Sequence, residues 1–215
     1  MAAGKGEGKP VRGRKPVGGR TVKGAGRGSV RRETAETAVA VELVLCGAGA
    51  SKVVTGVRFF DHMLSALARH GRMDLDISVE ERTKVDAHHV VEDAGLALGI
   101  ALREALPERD LARFGWAVVP MDDARATVAV DLGGRPYAVL EACFHGEAVG
   151  DLPTDMVAHF LWALASTARL NVHATLVGEN DHHQIEAMFK ALGLALRQAA
   201  RPDPGAGVPS TKGVL

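Results

Sequence analysis

Two spacings of apolar residues alternate along most of this chain. Residues 37–45 and 52–58 are rich in β-branched side chains and are separated by a glycine-rich break at 47–49, which predicts two strands. Phe60, Met63, Leu64 and Leu67 recur at helical spacing, which predicts a helix over 59–70 ended by Gly71. Met73, Leu75, Ile77 and Val79 then alternate with Asp74, Asp76, Ser78 and Glu80, the pattern of a half-buried strand. A short extended piece at 83–87 leads into a helix that begins around His88 and His89. It runs to about Leu106, where Pro107 stops it.

The same order then returns. Ala38-Val39-Ala40-Val41-Glu42-Leu43 is echoed by Thr127-Val128-Ala129-Val130-Asp131-Leu132. The helical segment from His62 is echoed by that from His159, each His followed by a Leu and by Ala-Leu-Ala. His88-His89-Val90-Val91-Glu92 is echoed by His182-His183-Gln184-Ile185-Glu186, and both run into Ala-Leu-Gly helices at Ala97 and Ala191. Four echoes in one order define a duplicated unit, residues 31–118 and 119–200. The expected fold is α+β. Each half is a four-stranded sheet with helices on one face, and the two helical layers pack together. Residues 1–30 form a basic, glycine-rich tail and residues 201–215 a C-terminal tail.

Composition narrows the classes. Hydrophobic residues are 47% and charged residues 24%, enough apolar surface for a core. Cys46 and Cys143 are the only cysteines, which excludes a disulfide framework or a Cys-based zinc ribbon. Two free thiols fit a reducing, cytoplasmic setting. No apolar run approaches the ~20 residues that span a bilayer, so no membrane partner is expected. The formal charge is zero but uneven: residues 1–32 hold ten Lys or Arg and one acid, Glu7. That tail is too poor in apolar groups to offset its ordering entropy and is expected to be disordered and solvated, not a nucleic-acid arm. No glycine-rich phosphate loop follows a strand, which argues against nucleotide binding.

The histidines carry the chemical signal. Six of nine occupy repeated positions: His62, His88, His89, His159, His182 and His183. Adjacent helical residues point about 100° apart, so paired histidines serve two directions. Glu92 shares a face with His88 or His89, and Glu186 with His182 or His183. Six imidazoles and two carboxylates suit two divalent ions of the Mn, Fe, Co, Ni or Zn type. His70, His145 and His173 fall outside the repeat and read as satisfied polar groups. Leu64, Leu67, Leu161, Trp162 and Leu164 read as core. Asp61 and Asp93 either orient imidazoles or cap helices. On these residues alone a dinuclear hydrolase, such as a phosphatase, and a metal-storage protein also stand.

Longer motifs add a resemblance. Phe59-Phe60-Asp61-His62-Met63-Leu64, the segments 87–93, 131–137 and 180–190, and the ending 208–215 resemble the imidazoleglycerol-phosphate dehydratase family, from about Arg31 to Leu215. The resemblance implies a hydro-lyase of histidine biosynthesis acting on a phosphorylated imidazole. It implies two Mn²⁺ per active site, sites between subunits and a 24-subunit homo-oligomer. Metal ligands would be His62, His88, His89, Glu92, His159, His182, His183 and Glu186. Catalytic work would fall to Glu36, His62, His89, His183 and Lys190. Glu36 and Lys190 would also touch substrate, and Arg113, Arg135, Ser210 and Lys212 would surround its phosphate. The N-terminal phosphatase domain of bifunctional relatives is expected to be absent. Two departures stand out: Asp86-Ala87 replaces the Asp-Asp that many relatives carry before the His pair, and Ala66 replaces a polar residue. Neither removes a ligand.

Overall fold

The structure, a computed structural model, describes residues 26–83, 85–208 and 210–211. The first half comprises β1 (Arg27–Glu33), β2 (Thr37–Val44), β3 (Ser51–Val54), α1 (Arg58–Gly71), β4 (Asp74–Glu81) and α2 (His88–Ala105). The second comprises β5 (Phe114–Met121), β6 (Ala124–Asp131), β7 (Tyr137–Glu141), the hairpin β8 (Ala148–Val149) and β9 (Leu152–Pro153), α3 (Met156–Ala168), β10 (Asn171–Val177) and α4 (Asp181–Ala199). The sheets have matching orders, β1-β2-β4-β3 and β5-β6-β10-β7. In each, one parallel pair, β3 with β4 or β7 with β10, is joined across a helix, α1 or α3, because parallel neighbours need a crossover.

The expected α+β duplication is what the chain forms. α2 lies on β1 and β2, and α4 on β5 and β6. The helical layers then meet crosswise: α1 packs on α4, and α2 on α3. Each half therefore buries its helices against the other half's helices. Phe60, Phe160 and Phe189 meet at that seam with ring centroids 5.1–6.4 Å apart. Gly28 and Gly115 mark matching close approaches. A Cβ at either would lie 1.8 Å or 2.0 Å from the carbonyl oxygen of Ala101 or Ala195.

Several boundaries differ from expectation. β1 starts at Arg27, so residues 27–30 belong to the sheet and not to the basic tail. β5 starts at Phe114, so the halves meet between the end of α2 and Phe114 and not at 118/119. Both strands escape the alternation rule for a simple reason. The inward positions of β1 are Gly28, Val30 and Arg32, a weak apolar signal, and the outward positions of β5 are Phe114, Trp116 and Val118, which hides its polarity. Residues 55–57 are a turn before α1, and 83 and 85–87 form no strand. Gly71 is the last helical residue of α1, and Arg72 takes the left-handed cap at φ 48°. Trp162 is 62% exposed and is not core, although Leu64, Leu67, Leu161 and Leu164 are. It lies on the outward stripe of α3 with Ala158.

The strand echo is also displaced. Leu43 faces Leu75 and Val130 faces Val172, and Leu75 and Val172 each lie three residues past a left-handed arginine, Arg72 or Arg169. Leu43 therefore matches Val130, and not Leu132. A two-residue slip keeps every inward side chain inward, so a period-2 pattern does not reveal it. The corrected register makes Glu36 the counterpart of Asp123.

Candidate active site

The His-His-x-x-Glu motifs stand on the first turns of α2 and α4. α4 is capped by Asn180, whose Oδ1 accepts the backbone N–H of His182 at 2.9 Å and of His183 at 3.3 Å. Asp86 holds the matching place before α2 and accepts the N–H of His88 at 2.8 Å. The carboxylate kept in Asp86-Ala87 thus holds the start of α2 from the residue before its N-cap, Ala87.

The paired histidines diverge as helical geometry requires. His182 Nε2 lies 3.1 Å from Glu186 Oε2, one turn on, and His62 Nε2 from α1 lies 3.3 Å from the same oxygen. One donor atom from each of His62, His182 and Glu186 falls within 4.8 Å of the other two. His183 turns away to Asp123, with Nδ1 2.6 Å from Oδ1, while its Nε2 lies 3.5 Å from Asp122. The first half copies this arrangement. His88 Nε2 lies 3.3 Å from Glu92 Oε2, and the ring of His159 from α3 sits 4.7 Å from that of His88. His89 Nδ1 turns away to Glu36 Oε2 at 3.0 Å. The crosswise helix packing thus delivers each lone histidine to the other half's motif.

Electrostatics tune the His62 cluster. Burial pushes the Glu186 carboxyl up, but the hydrogen bond and charge of Lys190, aided by His62, outweigh it and hold the group below the usual glutamate range. Lys190 Nζ lies 2.9 Å from Glu186 Oε1. Asp123 is held far below the usual carboxylate range by its hydrogen bond with His183 and by the N–H groups of Asn180 and Glu179. Burial raises Asp151, but the N–H groups of Phe59 and Arg58 win and lower it. Asp151, in the turn of the β8–β9 hairpin, thereby caps α1, the helix that carries His62.

The phosphate candidates part company. Arg113 grips Asp131 with two prongs, Nε to Oδ1 at 2.7 Å and Nη2 to Oδ2 at 3.0 Å. This pairing raises its pKa. Arg135 is exposed, and among the described residues its guanidinium has no partner. The C-terminal tail returns to Arg113: Ala112 N–H donates to Arg201 O, and Leu111 bridges Pro202. Ser210 is partly buried at its far end, and Lys212 lies outside the described residues.

Two further expectations need correction, those on Asp61 and Asp93. Asp61 neither orients an imidazole nor caps its helix. It accepts Thr55 N–H at 2.8 Å and Thr55 Oγ1 at 2.6 Å. Asp93 likewise takes Arg32 and Thr37 in a buried polar group. His145 Nδ1 lies 3.4 Å from Asp181, and His173 stacks on Tyr137. His70 is lowered by burial first and by Lys190 second. Asp122 and Asp123 escaped notice in the sequence. The signal for Asp123 is its place as the counterpart of Glu36, visible only in the corrected register.

The chain is similar to known proteins in sequence and in fold. The imidazoleglycerol-phosphate dehydratase profile matches residues 55–196. The chain is 52% identical over 185 residues to the imidazoleglycerol-phosphate dehydratase of Methanothermobacter thermautotrophicus, covering 86% of this chain and 95% of that one. It is 50% identical over 188 residues to that of Methanocella arvoryzae, covering 87% and 98%. Among solved structures, the Pyrococcus furiosus enzyme in complex with (S)-C348 superimposes with a TM-score of 0.77 at 40% identity, covering 86% of this chain and all of that one. The Staphylococcus aureus N315 enzyme does so with a TM-score of 0.73 at 35% identity, covering 82% and 99%. Matched in sequence and in fold over most of its length, the chain belongs to the imidazoleglycerol-phosphate dehydratase family.

Proposed function

We propose that this chain is a metal-dependent hydro-lyase that removes water from imidazoleglycerol phosphate to give imidazole-acetol phosphate in histidine biosynthesis. Within the family assignment, one observation carries the metal-dependent part of this reading. Each His-x-x-x-Glu turn receives a histidine from the opposite half, at His62–His182–Glu186 and at His88–Glu92–His159.

The residues fit divalent ions. Imidazole and carboxylate donors without thiolate suit Mn²⁺, and Glu186 is held in the anionic form a ligand needs. The proposed ligands are His62, His88, His89, Glu92, His159, His182, His183 and Glu186, shared by two Mn²⁺ per site. Bound there, the ions would act as Lewis acids toward the substrate's imidazole ring and hydroxyl.

The chain's own groups do the rest. The hydrogen lost from carbon 2 is weakly acidic, because no carbonyl adjoins it. Glu36, paired with His89, is the carboxylate assigned to that proton. The hydroxyl leaves from carbon 3 beside the imidazole ring, and the enol so formed tautomerises to the ketone. Lys190 keeps Glu186 charged and stands beside the site as a cation. Arg135, whose guanidinium has no partner among the described residues, is assigned to the phosphate, joined by Ser210 and Lys212. Arg113 supports them from its clasp on Asp131. A phosphate anchored away from the reacting carbon converts binding into orientation.

The same family reading supports a 24-subunit assembly with sites shared between subunits. Exposed Phe114, Trp116, Val118 and Tyr137 on the outer face of the second sheet support assembly of some kind. Exposed Cys46 and Cys143 support a reducing, cytoplasmic setting. No described helix is long and apolar enough to cross a membrane.

The test is turnover of imidazoleglycerol phosphate, followed by product absorbance, before and after metal removal. Chelation abolishes it and Mn²⁺ restores it. Full activity in a verified metal-free preparation rejects metal dependence, and absence of turnover in the Mn²⁺-loaded protein rejects the hydro-lyase.

A further inference from the structure

The loop from Leu132 to Pro136 carries Arg135 between β6 and β7. Two side chains beyond α3 hold it by consecutive carbonyls. Arg169 Nε donates to Gly134 O at 3.0 Å, and Asn171 Nδ2 donates to Arg135 O at 2.6 Å. Leu170, between them, accepts the N–H of Tyr137 at 3.0 Å. Three successive residues, 169–171, thus hold the loop at Gly134 and Arg135 and at its exit into β7, Tyr137.

The loop is built for that grip. Gly134 sits at φ 79°, where a side chain is strained. A Cβ on Gly133 would lie 2.6 Å from Arg113 Nη2 and 2.8 Å from both Asp131 carboxylate oxygens. Arg169 itself holds a left-handed backbone at φ 55° as the cap of α3, which turns its side chain back toward the loop.

The first half shows that the hold is particular to the second. Asp74 is the counterpart of Asn171, two residues past Arg72. Its carboxylate accepts the N–H groups of Ala48 and Ala50 at 2.8 and 3.0 Å. There the loop is held by its N–H groups. In the second half Asn replaces Asp, donates instead of accepting, and the loop is held by its carbonyls, directly under Arg135.

We propose that Arg169 and Asn171 are positioning residues of the phosphate site, whose hold on the Gly134 and Arg135 carbonyls places the Arg135 guanidinium for the substrate phosphate. The inference rests on the assignment of Arg135 to phosphate made above. Neither side chain touches substrate. Each removes backbone freedom that Arg135 would otherwise lose on binding.

The experiment uses the full Mn²⁺-loaded chain and measures KM and kcat for imidazoleglycerol phosphate, with inorganic phosphate as a competing probe. Asn171→Asp, which keeps shape but loses the donor, raises KM and the phosphate inhibition constant by about tenfold, the scale of one lost hydrogen bond, with kcat within about twofold. Arg169→Gln behaves similarly, and Arg169→Lys, which keeps a cationic donor, recovers much of the loss. In an Arg135→Ala background Asn171→Asp adds nothing further, because the two act through one guanidinium. Arg169→Gln keeps the test decisive if Asn171→Asp lowers the melting temperature, since Arg169 is exposed. The proposal falls if KM and the phosphate constant stay put in folded variants, or if kcat drops while they do not move. If Arg135→Ala raises KM and neither Arg169→Gln nor Asn171→Asp does, this inference alone is wrong. If Arg135→Ala leaves KM unchanged, the phosphate assignment fails and takes the inference with it.

Discussion

The two histidine clusters began as copies and now differ in their surroundings. At His62–His182–Glu186 the carboxylate is buried, with a side chain 11% exposed, and Lys190 binds its second oxygen. Phe59 lies against His182 at 4.9 Å. At His88–Glu92–His159 the carboxylate is 41% exposed. The residue matching Lys190 is Leu96, and the residue matching Phe59 is Met156. The donor types are the same in both. What diverged is desolvation and charge compensation, which decide how firmly a carboxylate is held in its ligating form. The lesson is that a duplicated motif conserves chemistry more easily than environment.

That comparison makes the largest prediction one about metal. Under the proposed reading, Glu186→Gln removes a preassembled donor, and Glu92→Gln removes a looser one. Stepwise chelation of the wild type should release one equivalent of Mn²⁺ at least about tenfold more readily than the other. Glu92→Gln should keep the tight equivalent and Glu186→Gln should lose it, with turnover down by about a hundredfold or more in both. Metal analysis beside kinetics checks this, and equal affinity of the two equivalents would erase the distinction between the clusters.

Lys190 offers the next test. Lys190→Met breaks a largely buried ion pair and should cost about 3 kcal/mol at neutral pH, whereas a change at Leu96 to Met should cost less than about 1.5 kcal/mol. The pH dependence follows from the sign of the Glu186 shift. A carboxyl lowered in the folded state stabilises above its unfolded value, near 4.3, and loses that contribution as pH falls through its lower folded value. Without Lys190 the main cause of the lowering is gone, so the shift shrinks or reverses and the variant loses less stability than the wild type as pH falls through this range. Melting temperatures of both proteins across pH 3–7 read this directly, and superimposable profiles would contradict it.

The smallest contrast concerns the helix starts. Asn180 serves two N–H groups and Asp86 serves one. Asn180→Ala should cost about 1–2 kcal/mol and Asp86→Ala about half that, by urea unfolding. Equal losses would mean that the second hydrogen bond of Asn180 contributes little.

Much of the site could be read in advance because helical geometry is local. The spacing by itself places Glu186 on a face with His182 or His183 and sends the two histidines in different directions; the structure decides that His182 is the one that meets Glu186. The duplication was legible from the same echoes. Less legible was anything that depended on which strand residue faces which. The β2 and β6 echo looked aligned at Leu43 and Leu132, yet ladder pairing matches Leu43 with Val130. Asp123 stayed hidden for that reason. Asp61 and Asp93 were judged by their neighbours in sequence, and their partners, Thr55, Arg32 and Thr37, are set by how loops and strands meet α1 and α2. Trp162 was judged by its apolarity, when only its stripe on α3 decides exposure.

By itself the sequence determined the duplicated α+β plan, the helical faces bearing His and Glu, and the family motifs. These depend on short-range periodicity and on residue type, which a linear string records. The tertiary structure alone decided that α1 packs on α4 and α2 on α3, so that His62 reaches Glu186 and His159 reaches His88 across the halves. It also decided that Arg113 is clasped by Asp131 while Arg135, on a loop held by Arg169 and Asn171, has no partner among the described residues. Such pairings join residues 18 to 124 positions apart. They are chosen by the burial of whole helical faces against one another, and no local pattern encodes which face will meet which.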